Sequence, residues 1–267
     1  MRTLIFSLLF AFLSANAQTN KEGVEVQKSR LLLLPASTVE KSAGQQYAQL
    51  MRAAAQKGLL NNDAQQVERL RRIAREQIPH VTRFNKNAAK WKWEVNLITS
   101  KTVNAFCMPG GKIAFFTGIL DTLQLSDDEV ANIMGHEIGH ALLEHGRARM
   151  SQQVLKSVGI SVAAAVFNLG QLSAEVLNQA THVAVSLPYA RRHETDADLV
   201  GMELAARAGY DPRAAAAVWR KMSKLTQATG KGQPPQFLST HPSHESRIRE
   251  IEAKLPRVLP LYRKANP

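Results

Sequence analysis

His136, Glu137 and His140 stand within one five-residue stretch, His-Glu-Ile-Gly-His. On a helix of 3.6 residues per turn, positions four apart differ by about 40°, so both imidazoles project from one face, one turn apart. Two nitrogens at that spacing suit a single tetrahedral zinc ion. Glu137, beside the first of them, is placed to take a proton from a water whose pKa zinc lowers to about 7, giving a hydroxide nucleophile at neutral pH. The competing reading is two core histidines on a buried face. Ordinary residue frequencies produce this pattern by chance in about one chain in a hundred of this length, so the metal reading is preferred.

A third ligand must come from elsewhere. His145 lies nine residues past His136, about half a revolution away on the opposite face, and reads as a C-terminal helix residue interacting with the dipole. The metzincin extension would need glycine at 143 and histidine at 146, where Leu143 and Gly146 stand. Glu194 and Asp198 are four apart and share a helix face. One carboxylate of such a pair can bind the metal while the other accepts a hydrogen bond from a ligand imidazole. Alone, an acid pair at this spacing is more often helix surface. Beside the first motif, a metal role becomes the favoured reading, with a fourth position left for water.

These residues need elements to hold them. Ser126-Asp127-Asp128-Glu129 has capping-box spacing with acids in the first turn, so a helix is expected from there to His145, closed by Gly146. Ala190 to Ala208, closed by Gly209, is the helix carrying Glu194 and Asp198. Further helices are expected over Ser42 to Lys57, from about Asp63 to Ile78, from Asp211-Pro212 onward, and from Pro242 to Leu255. Arg69, Arg71, Arg72 and Arg75 read as solvated helix surface. Trp91, Trp93, Val95 and Leu97 alternate with polar residues and read as a strand. Val103 to Met108 and Ile113 to Phe116 are two more, joined by the Pro109-Gly110-Gly111 turn. The sum is an α+β, mainly helical domain with zinc between two facing helices and a small sheet whose edge strand borders the cleft.

Composition sets the outer bounds. The chain has 267 residues, 45% hydrophobic and 21% charged, enough for one sizeable core or two small ones. Met1-Arg2, the apolar Leu4 to Leu13 and Ala15-Asn16-Ala17 read as a signal peptide over residues 1–17, which implies export and a periplasmic location. Residues 18–41 read as an extended arm, 42–257 as the catalytic domain and 258–267 as a tail. Cys107 is the only cysteine, so an internal disulfide and a four-cysteine zinc site are excluded; it reads as a small buried hydrophobe. Net charge is +12. With no phosphate loop, zinc-finger spacing or aromatic stacking motif, nucleic acid is not an expected partner and the anionic envelope is the better match. The apolar run Val158 to Leu169 is too short to span a bilayer, which needs roughly 20 residues. It reads as a packed helix that could also touch lipid or cover the cleft.

Gly135-His136-Glu137-Ile138-Gly139-His140 together with Arg191-x-x-Glu194-x-x-Ala197-Asp198 resembles the zinc metallopeptidase family of the HtpX, Oma and CaaX proteases. Val103-Asn104-Ala105-Phe106 before Pro109-Gly110-Gly111 is similar to that family's strand and turn. Thr240-His241-Pro242-Ser243 with Arg247-Ile248 is similar to its C-terminal motif. The matches run in the family's order over about 98 to 250. The signal peptide and lack of spanning segments point to the periplasmic BepA/LoiP-like branch. Asp196, where glutamate is commoner, and Ala190, where serine often stands, are mild departures.

The resemblance implies a gluzincin-like fold, one zinc per chain, Glu194 as third ligand and Asp198 as the partner of a ligand imidazole. It implies that Asn104, Ala105 and Phe106 form an exposed edge that takes substrate backbone by strand addition. His241 would stabilise an oxyanion or, alternatively, approach the metal and hold the enzyme latent. Arg247 is an electrostatic candidate, while His80, His182, His193 and His244 stay as surface or core residues. The implied activity is hydrolysis of internal bonds in misfolded or misassembled envelope proteins. The alternative is a latent protease acting mainly as a periplasmic chaperone or outer-membrane assembly factor, with peripheral membrane contact.

Overall fold

The structure, a computed structural model, describes residues 22–27, 32–155, 190–229, 234–242 and 245–267. The expected signal peptide, the apolar run at 158–169, His182 and His244 lie outside the described residues. The architecture is mainly helical with one small sheet, as the sequence pattern implied. No helix among the described residues is long and apolar enough to cross a membrane.

The first helix, α1, spans Ala36–Gln56 and α2 spans Ala64–Gln77; short 3-10 turns over Ile78–Arg83 and Lys86–Lys90 lead into the sheet. Helix α1 starts six residues before Ser42, directly after Pro35, because Val39, Ala43, Tyr47 and Met51 form one continuous buried stripe. Part of the expected arm is therefore helix, while Val24 and Leu34 in the remainder are buried. Asp63 caps α2 by accepting from the Gln66 amide.

Strands β1 (Glu94–Ile98), β2 (Ala105–Met108) and β3 (Lys112–Phe116) form a sheet in the order β1-β3-β2. β1 runs parallel to β3, pairing Val95 with Ile113, and β2 runs antiparallel to it, pairing Cys107 with Ile113. That leaves β2 at an edge. Trp91 and Trp93 fall before β1, because the ladder begins only where Glu94 meets Lys112. Their indole N–H groups instead bond Glu40 on α1 and the Ala88 carbonyl. Gly110 and Gly111, at φ 84° and 79°, make the β2–β3 turn, and any Cβ on Gly111 would fall 2.7 Å from the Trp93 ring.

After α3 (Thr117–Leu123), helix α4 covers Asp127–Leu142 behind a complete Ser126–Glu129 capping box. It ends three residues before His145. Leu143 caps it, Glu144 takes a left-handed φ of 56°, and the chain re-enters helix over 145–155 (α5). Gly146 therefore lies inside α5 rather than closing α4.

Helix α6 covers Arg191–Arg207, α7 Ala214–Thr229, α8 Gln236–Thr240 and α9 Glu245–Ala265. Helix α9 continues beyond Leu255, through Pro256 and Pro260, since Val258 and Leu261 still find the core. Most of residues 258–267 are thus helical rather than a tail.

Two helices do most of the positioning. α4 and α6 approach until a Cβ on Gly135 would sit 2.7 Å from the Gly201 carbonyl oxygen, and one on Gly201 only 2.5 Å from the His136 nitrogen. Backbones this close exclude larger residues at the crossing, so the motif faces of the two helices are held in register.

Candidate metal centre

His136 and His140 leave α4 on one face, with their Nε2 atoms 3.0 Å apart. Glu194, in the first turn of α6, brings Oε1 to 3.4 Å from His140 Nε2 and Oε2 to 3.7 Å from His136 Nε2. His241, following the short α8, places Nδ1 3.2 Å from His136 Nε2 and 3.1 Å from Glu194 Oε1. One ligand atom from each of these four buried residues lies within 4.8 Å of the others.

A shell of fixed partners orients them. His136 Nδ1 donates to Asp198 Oδ1 at 2.9 Å, so its Nε2 carries the lone pair that faces the cluster. Asp198 is held by Trp219 Nε1 at 3.0 Å and by two Arg247 nitrogens at 2.7 and 2.8 Å. A third nitrogen of Arg247 reaches Glu194 Oε2 at 2.6 Å, and the guanidinium lies 3.6 Å from the centre of a Trp219 ring. Burial alone would raise both carboxylates, but the positive charge beside them wins. His241 and Arg247 hold Glu194 well below the usual range, and Arg247 with His136 holds Asp198 below it.

Glu137 is different. Burial pushes its carboxyl up, against His241 and His136. Among the described residues its Oε1 has no hydrogen-bond partner, and it lies 3.5 Å from His241 Nε2. A carboxylate raised toward neutrality and left with an unsatisfied oxygen is suited to accept a proton.

The donor set fits a metal ion. Imidazole nitrogens and a carboxylate oxygen converging in a buried site, at least one of them fixed as a lone pair, favour a divalent transition cation among them.

Glu137 and His241 open onto a cavity that Asn104, Ala105 and Phe106 also line, with Val39, Met150 and Thr240. The structure thus brings every site residue named from the sequence to one place. Asn104 is buried and its Oδ1 accepts from the Ala105 amide, while the Val103 carbonyl is taken by the Phe237 amide of α8. Cys107 is half-buried, packs against the core and lines the same cavity.

Sequence reasoning missed Trp219, Val39 and His145. A lone tryptophan on an amphipathic helix carries no signal that it will donate to a carboxylate on another helix. His145 was misplaced by the uninterrupted helical wheel. It is fully buried, with Nδ1 3.0 Å from His140 Nδ1, and its ring stacks on His193.

The chain is similar to peptidase family M48 over residues 64–255. It is 39% identical over 166 residues to the mitochondrial metalloendopeptidase OMA1 of Schizosaccharomyces pombe, covering 62% of this chain and 47% of that one. It is 30% identical over 158 residues to the metalloprotease LoiP of Escherichia coli, covering 58% and 60%. It is 27% identical over 187 residues to the beta-barrel assembly-enhancing protease of the same organism, covering 66% and 37%. The chain spans about half or less of the length of its OMA1 relatives. With that match running from α2 into α9, through both helices that build the centre, the chain belongs to peptidase family M48.

Proposed function

We propose that this protein is a zinc-dependent endopeptidase that cleaves internal peptide bonds in unfolded or misassembled proteins of the cell envelope. The observation that carries the reading is the convergence of His136, His140 and Glu194 beside the under-partnered carboxylate of Glu137, at a cavity bordered by an edge strand. His136, His140 and Glu194 would hold the zinc, which when bound supplies a Lewis acid that acidifies water and polarises a carbonyl.

Glu137 takes the proton of the attacking water as oxygen bonds to the carbonyl carbon. It then returns that proton to the departing amide nitrogen as the C–N bond breaks. Asp198 fixes the His136 tautomer, and Arg247 keeps Asp198 and Glu194 charged. β2 offers backbone to an extended substrate, which selects unfolded segments over particular side chains. The envelope setting and export to the periplasm are supported by the leader-like residues 1–17 and by the similarity to the beta-barrel assembly-enhancing protease.

A second reading is supported by one distance pair. With Nδ1 at 3.2 Å from His136 and 3.1 Å from Glu194, His241 stands among the ligands rather than over an oxyanion position. In this arrangement the enzyme is latent, and a chaperone or assembly role in contact with outer-membrane machinery comes forward.

One experiment separates these. Wild type and Glu137→Gln should each retain about one zinc per chain, while Glu137→Gln digests unfolded casein about 10²–10⁴-fold more slowly. Faster digestion by His241→Ala than by wild type establishes latency. Protein that holds no zinc, or Glu137→Gln that digests casein as fast as a wild type that cuts, sinks the assignment; zinc-loaded wild type that cuts no faster than Glu137→Gln brings the latent reading forward.

A further inference from the structure

The two ligand histidines of α4 are not supported alike. His136 gives its Nδ1 proton to Asp198, a carboxylate fixed by Arg247. His140 instead turns its Nδ1 toward the Nδ1 of His145 at 3.0 Å. His145 reaches that position because α4 stops at Leu142. The left-handed Glu144 turns the chain, and α5 starts with His145 folded back under the ligand helix. The ring is fully buried and stacks on His193, with centroids 4.1 Å apart and planes 11° apart. His193 directly precedes Glu194 in sequence. His145 therefore touches both helices that carry the metal-binding side chains.

Two Nδ1 atoms at hydrogen-bond distance are bonded only if one carries the proton and the other a lone pair. If His145 donated, the proton of neutral His140 would sit on Nε2. It would then point into the cluster, where His136 Nε2 lies at 3.0 Å and Glu194 Oε1 at 3.4 Å. An N–H aimed there excludes a cation. The opposite arrangement puts the His140 proton on Nδ1, bonded to His145, and turns the Nε2 lone pair inward.

Resting on the metallopeptidase reading, we propose that His145 is a positioning residue that accepts the Nδ1–H of His140 and so sets its tautomer and ring orientation for metal binding. One ligand histidine is thereby oriented by a charged carboxylate and the other by a neutral imidazole. Outer partners of this kind typically contribute about 10–100-fold in metal affinity.

The test is zinc affinity of the full chain, by competition with a chromophoric chelator, for wild type, His145→Ala, His145→Asn and His145→Gln. The asparagine carbonyl oxygen replaces the imidazole Nδ1, whereas glutamine carries its oxygen to where Nε2 lies. We expect His145→Ala and His145→Gln to lose about 10–100-fold in affinity and His145→Asn to stay within a few-fold of wild type. The Asn–Gln comparison decides even if the alanine variant does not fold. His145→Gln binding as tightly as His145→Asn, or His145→Ala as tightly as wild type, overturns the positioning role and leaves the metallopeptidase reading intact. Wild type without zinc affinity overturns both.

Discussion

Arg247 is the residue on which the most charge depends. It is 2% exposed, bridges Asp198 and Glu194, and lies over Trp219. Its removal would take the shared cation from two buried carboxylates, leaving Asp198 with His136 and Trp219 and Glu194 with His241. Breaking a buried pair in this way costs about 3–5 kcal/mol. Arg247→Ala should therefore lower the melting temperature of the metal-free protein by about 6–20 °C, with Arg247→Lys falling between, since one ammonium cannot span both carboxylates. A shift of under about 2 °C in Arg247→Ala would show that Trp219 and His136 already suffice. At this scale the sequence was most legible where spacing within one helix determines geometry. His136, Glu137 and His140 lie in a single unbroken helix, and Glu194 and Asp198 in another. It misled at His145, because the helical wheel assumes an unbroken helix and Glu144 breaks it. Trp219 and Arg247 meet Asp198 only through tertiary packing, which spacing does not encode.

Between elements, the decisive contact is the α4–α6 crossing, where Gly201 faces the His136 backbone. A methyl group there meets main chain, which cannot rotate away as a side chain can. Gly201→Ala should drive the helices apart and cost about 1–3 kcal/mol or more. Because each helix carries part of the ligand set, zinc affinity should fall together with thermal stability. Gly44→Ala, on α1 with no atom of the described residues within 4 Å of the added carbon, provides the control that should lose neither. If Gly201→Ala loses stability but keeps its affinity, the centre tolerates helix displacement and the crossing matters only for folding. Elements were legible where periodicity and caps coincide, as at the Ser126–Glu129 box. The β1 boundary was not. Trp91 and Trp93 continue the alternation before β1, but β3 supplies no partner for them. Strand order was equally hidden, since alternation assigns residues to faces and says nothing about which strand lies beside which.

At the level of the whole molecule, the centre depends on how the N-terminal helices brace α4. Asp127, in the first turn of α4, accepts from Arg69 and Arg72, both on α2. Burial would raise its carboxyl, but bonds to the two arginines outweigh that and hold it below the ordinary value. A group depressed on folding stabilises the native state above its unfolded pKa, about 3.9 for aspartate. That contribution is lost as pH falls through the lower, folded value. The side chain is 44% exposed, so solvent screening keeps the contribution to about 1 kcal/mol or less. Wild type should therefore be more stable than Asp127→Asn at pH 6 in chemical denaturation, and the gap should narrow from about pH 4 downward. High salt at pH 6 should shrink the same gap. A gap that persists unchanged at pH 2 would assign the effect to hydrogen bonding that asparagine cannot reproduce. In that case α2 and α4 are joined by geometry rather than by charge.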